Sequence, residues 1–185
     1  ATTSSDLVLG IRATLKQIDT PGTPSTPYTE GDEEWLEVYN RGGNTIDLSS
    51  WEIDGGISYN FPVGTMIASG EYLVVAKDAS ALSQKHPGLT IVGDFSGSLG
   101  NGGDHLVLKD AHGNPADEVT YFDGGKWPGK ADGGGSSLEL LDPGADNNTA
   151  TAWAASDETE RSSWNAFTYE EVAVSDGIGN NAYHE

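Results

Sequence analysis

The sequence predicts an all-β fold, an antiparallel β-sandwich, on three observations. Glycine and proline are frequent, 25 and 8 in 185 residues, and they break the chain into short pieces. Between these breaks, runs such as WLEVYN and HLVLKD alternate apolar and polar residues, the period of a half-buried strand. Only one stretch, SALSQKHP, has helical character, and Pro87 ends it. Short strands separated by turns favour a sandwich over a parallel α/β fold.

The elements follow in order. LVLGIRATL, from Leu7, reads as a first strand. QIDTPGTPSTPYTEGDEE is rich in Pro, Thr and acids and reads as a long exposed loop. In WLEVYN, Leu36 and Val38 share one face while Trp35, Glu37 and Tyr39 share the other. After a turn at RGGN come TIDLSSWEID, ISYNF, a turn at PVGT, and EYLVVAKD. The nearly continuous apolar centre of EYLVVAKD predicts a strand covered on both faces.

Residues 105 to 122 read as a hairpin: HLVLKD turns Leu106 and Leu108 inward, AHGNPA is the turn, and DEVTYF returns. A glycine-rich loop, DGGKWPGKADGGG, leads into the last clear strand, SSLELLD. From Asp142 the chain is polar but carries Trp153 and Trp164, which are expected to pin an irregular segment against the sandwich by aromatic burial. Residues 165–185, with apolar alternation at Val172 and Val174, read as an edge strand or a linker toward a missing domain, leaving 1–164 as the sandwich domain.

Nine basic residues face 29 acidic ones, a formal net charge of -20. Such a field repels phosphate backbones, which argues against nucleic acid as a partner, and it suits cations. There is no cysteine, so neither disulfides nor thiol chemistry contributes. No apolar run approaches a membrane span, and the opening ATTSSD reads as a mature or trimmed end. This composition is compatible with bacterial secretion, and an extracellular or cell-surface location is expected.

In chain order, WLEVYN, IDLSSWEI, FPVGTMIASGEYLVVAKD, FSGSLGNGGDHLVLKDAHGNPADEVTY, WPGKADGGGSSLEL and DNNTATAWAASDETERSSW together resemble the bacterial, extracellular branch of the lamin tail domain family. The resemblance spans about residues 33–164. The opening strand departs from the family pattern, with Gly10-Ile11 where an acidic residue is usual. The resemblance implies an immunoglobulin-like β-sandwich that serves as an accessory or interaction unit, often beside nucleases, phosphatases, proteases or carbohydrate-active enzymes.

Candidate sites are of three kinds. LGNGGDHL matches most of a calcium-binding nonapeptide, but a calcium roll needs tandem copies and none follows, so its glycines read as a turn before HLVL and Asp104 as a turn acid. Calcium takes about six to eight oxygens. DPGADNN offers Asp142, Asp146, Asn147 and Asn148, with Asp142, Asp146 and Asn148 the preferred ligands, and TEGDEE offers Glu30, Asp32, Glu33 and Glu34. The competing reading is solvated turn acids with Asx-type bonds.

Sugar rings stack on exposed aromatics, which singles out Trp35, Tyr39 and Trp127, against the competing reading that these rings are packing residues. The four histidines have no metal-binding spacing, GDFSG is no nucleophile elbow, and no catalytic motif is present, so an enzyme is not expected. Asn147-Asn148-Thr149 fits a glycosylation sequon by pattern alone. The function expected is a non-catalytic module binding a protein or polysaccharide through loops or an exposed sheet face, joined to neighbouring domains. The alternatives are a calcium-dependent polysaccharide-binding module and an inert spacer.

Overall fold

The computed structural model describes residues 7–12, 34–131 and 136–156. Two main sheets face each other. The first runs in the order β1 (Leu7–Arg12), β2 (Trp35–Asn40), β7 (Tyr72–Ala76), β8 (Ile91–Gly93). The second runs β11 (Pro115–Phe122), β10 (Gly103–Lys109), β4 (Glu52–Gly55), β5 (Ile57–Asn60), β9 (Ser96–Gly97). Two short ribbons close the sides, β3 (Ile46–Asp47) with β6 (Met66–Ile67), and β12 (Leu138–Leu140) with β13 (Trp153–Ala155).

One contiguous core lies between the sheets. The first sheet contributes Leu36, Val38, Leu73 and Val75, and the second Ile53, Ile57, Leu106, Leu108, Val119 and Tyr121. Leu48, Ile67, Leu138 and Trp153 seal the margins. Each of the fully buried leucines and isoleucines contributes on the order of 1.5–3 kcal/mol of transfer free energy, which makes this alternation the main force that sets the fold. The immunoglobulin-like sandwich expected from the sequence is the architecture found.

The hairpin of residues 105–122 forms as β10 and β11, antiparallel, with a register shift between Leu108 and Lys109. The segment TIDLSSWEID is two strands rather than one. Asp47 accepts the Ser49 amide, Trp51 donates to Leu48 O, and Ser50 sits at φ 64°, so the chain turns between β3 and β4. SALSQKHP lies in the one α-helix among the described residues, α1 (Ala79–Lys85), where Asp78 caps the N-terminus by accepting the Ala81 amide at 2.8 Å.

One pairing departs from the antiparallel rule. β7 and β8 are parallel, with Val74 opposite Ile91 and Ala76 opposite Gly93. Parallel neighbours need a crossover, and α1 supplies it. Trp153 is buried, as the sequence predicts, and its indole Nε1 donates to Asn147 O at 2.8 Å. Trp164, the strand or linker expected over 165–185, and all of the loop from Gln17 except Glu34 lie outside the described residues.

Candidate interaction face

The alternation of β2 decides what its sheet shows on each side. Leu36 and Val38 enter the core, while Trp35, Glu37 and Tyr39 lie on the outer face, half-buried. On β7, Leu73 and Val75 join the core and Tyr72, Val74 and Ala76 face outward. α1 then covers one end of this outer face. Val74, Ala76 and Leu82 form a second small apolar cluster, with Trp35, Ala79 and Ile91 packed against it.

Among the described residues no helix lies over the other end. Tyr39 and Tyr72 are directly opposed across the strand pair, and their rings lie 4.5 Å apart between centroids, tilted by 32°. Tyr72 is 52% exposed, and Leu89, just before β8, is 52% exposed as well. Trp35 and Tyr39 therefore share a face, as their spacing predicts, but only Tyr39 belongs to its open part. Tyr72 is the residue that sequence reasoning missed. The signal available was its place at the margin of the LVV run, where coverage on both faces ends.

Trp127, the third aromatic singled out, sits elsewhere. Its half-buried ring packs 6.2 Å from buried Trp153 and 6.4 Å from Phe122, at the margin of the core. Phe122, cross-strand from Gly103, is the exposed member of this group at 54%. Trp127 thus acts as a cover over the core, and the outward ring is Phe122.

Asp142, Asp146 and Asn148 lie on one loop whose oxygens are engaged in building it. Asp142 accepts the Gly144 amide at 2.7 Å and Asp146 the Asn148 amide at 3.0 Å, both Asx turns. The Asn148 side chain reaches β11, accepting from the Thr120 amide at 2.9 Å and donating to Glu118 O at 3.1 Å. It occupies the sheet edge as a neighbouring strand would. Asn147 is buried and donates to Asp117 at 2.8 Å, so the sequon asparagine is inaccessible in the folded domain.

Asp146 and Asn148, but not Asp142, line an open cavity of about 560 Å³ with Arg41, Asp117 and Glu118. Arg41 donates to Pro143 O at 2.8 Å and so ties β2's end to this loop. Among the described residues no group of three or more His, Cys, Asp or Glu is placed to hold a metal ion.

The LGNGGD turn is locked by three elements. Glu34, buried rather than loop-exposed, accepts the Leu99 amide at 3.0 Å, and the Tyr121 hydroxyl donates to Gly100 O at 3.0 Å. Asp104 accepts the Gly100 and His105 amides, one on each oxygen. Burial, and the nearby Asp104 and Glu34 carboxylates, push the Tyr121 phenol well above its ordinary range. Gly103 has φ +120°, and a Cβ there would lie 2.5 Å from Tyr121 O, so only glycine fits. Of the TEGDEE acids, Glu30, Asp32 and Glu33 lie outside the described residues.

His86 caps the end of α1, and the His105 Nε2 lies 3.5 Å from the Glu118 carboxylate, both side chains exposed, on β10 and β11. No helix among the described residues is long and apolar enough to cross a membrane. The model of the family described as Lamin Tail Domain matches residues 15–123. A search of curated proteins finds no match.

Proposed function

Since the chain belongs to the lamin tail domain family, whose members are non-catalytic immunoglobulin-like domains, we propose that it is an accessory interaction module of a larger secreted or cell-surface bacterial protein. Recognition takes place on the outer face of the four-stranded sheet. The observation that carries this reading is the Tyr39–Tyr72 pair, an aromatic stack held on two hydrogen-bonded strands with Tyr72 half exposed. A ring fixed in this way offers large apolar contact at little entropic cost, and its hydroxyl satisfies a polar partner.

The ligand class that fits best is a neutral polysaccharide. A net charge of -20 repels polyanions, and the exposed part of a tyrosine ring suits the apolar face of a pyranose. Calcium is the second ligand candidate, beside the cavity that Asp146 and Asn148 line, with Asp142 on the same loop.

Affinity electrophoresis on a panel of neutral polysaccharides, run with calcium and with chelator, tests this. Retardation lost in Tyr72→Ala, with only the small loss of stability expected for an exposed cross-strand pair, is the expected result. Retardation lost in Trp127→Ala but kept in Tyr72→Ala would move recognition to the Trp127–Phe122 end. Migration equal to an inert control on every polymer would leave the inert spacer as the better reading.

A further inference from the structure

We infer that the Asn101–Gly102 step is a site of spontaneous covalent modification, in which water converts the asparagine to aspartate or isoaspartate. The reaction is internal. The Gly102 amide nitrogen, giving up its proton, attacks the side-chain carbonyl carbon of Asn101. The new C–N bond forms as the side-chain amide leaves as ammonia, giving a five-membered imide. One water then opens the imide at either carbonyl, so the balance is asparagine plus water to (iso)aspartate plus ammonia.

Three features of the turn permit this. Asn101 and Gly102 are both exposed. Neither the Asn101 side chain nor the Gly102 amide makes a hydrogen bond among the described residues, so electrophile and nucleophile are both available. A Cβ built on Gly102 meets nothing within 4 Å, so the space around the attacking nitrogen is open. The turn itself is held at its ends, by the Gly103 amide on Gly100 O at 3.1 Å, and leaves the two central residues free.

Every other asparagine in the described residues lacks one of these features. Asn40 is buried and donates to Asn44 O and Ile67 O. The Phe61 amide following Asn60 is engaged with Trp51 O. Asn114 is bonded to Asp110 and precedes Pro115, which has no N–H to attack. Asn147 and Asn148 are held by Asp117 and β11. Asn44 is followed by β-branched Thr45, which shields its amide. The product adds a negative charge to a turn that already holds Asp104 and contacts buried Glu34. An isoaspartate would also lengthen the chain between Gly100 and Gly103.

The test is incubation of the full chain in mildly alkaline buffer at body temperature in oxygen-18 water, followed by peptide mapping with mass spectrometry. Asn101 is expected to convert before Asn40, Asn44, Asn60, Asn114, Asn147 or Asn148, gaining one labelled oxygen, with isoaspartate and aspartate both formed. Gly102→Ala, which the open space accommodates without strain, should slow conversion by roughly an order of magnitude, because a methyl group restricts and shields the amide. Conversion first at Asn40, Asn44, Asn60, Asn114, Asn147 or Asn148, or an undiminished rate in Gly102→Ala, would overturn the assignment.

Discussion

On the outer face of the four-stranded sheet, Trp35 and Ala76 are opposed across β2 and β7 at one end, and Tyr39 and Tyr72 at the other. The first pair lies under α1, packed with Leu82 and Ile91. The second is stacked ring on ring, with Tyr72 half exposed. Both ends obey the same alternation, so strand periodicity assigns the face but not its cover. What separates them is the crossover from β7 to β8, which lays a short helix over one end only.

The largest break in this comparison is Leu82→Ala. Leu82 is the buried residue of α1, and its truncation is expected to destabilise the domain by about 2–3 kcal/mol, read by urea denaturation. A cost below that of the tyrosine variant would mean that the helix does not cover the sheet in solution. Next is Asn148→Ala, which removes two bonds to the edge of β11 and should cost about 1–2 kcal/mol. That edge would then be open to another strand, so concentration-dependent self-association by sedimentation is expected alongside the lower midpoint.

Tyr121→Phe should cost about 1 kcal/mol at neutral pH through the lost bond to Gly100 O. It also carries a pH signature. The folded state raises the Tyr121 pKa above its ordinary value of 10.0, so the neutral phenol's contribution is fully present below that value. It is lost as pH rises from there toward the raised folded value, because the unfolded chain ionises first. The alkaline limb of the stability curve should therefore be flatter in the variant than in the native chain.

The smallest stability effect belongs to Tyr72→Ala, about 0.5 kcal/mol for an exposed cross-strand pair, measured against the Leu82 variant under the same conditions. A ring that matters little to folding yet stays exposed is what a recognition surface requires. A loss as large as that of Leu82→Ala would make the tyrosine pair part of the packing and weaken the proposed face.

Much of this was legible locally. The inward Leu36, Val38, Leu106 and Leu108, the hairpin of 105–122, the helix before Pro87 and the burial of Trp153 all follow from periodicity, turn residues and aromatic size. Half of the candidate face was legible too, since Tyr39 falls on the outer side of β2 by its spacing alone. Its partner was not, because Tyr72 becomes its neighbour only when two segments more than thirty residues apart pair in one register.

The sequence by itself determined the fold class, the face of each long strand, and the role of Asp104 as a turn acid, because these depend on residues close together in the chain. Only the tertiary structure decided that β8 runs parallel to β7, that Trp35 is covered by α1 while Tyr39 stacks on exposed Tyr72, that Glu34 is buried under the LGNGGD turn, and that Asn148 closes the edge of β11. Each of those is a choice of partner between distant segments. Burial and hydrogen bonding reward such partners only once the sheets have closed, and no local pattern of side chains encodes that closure.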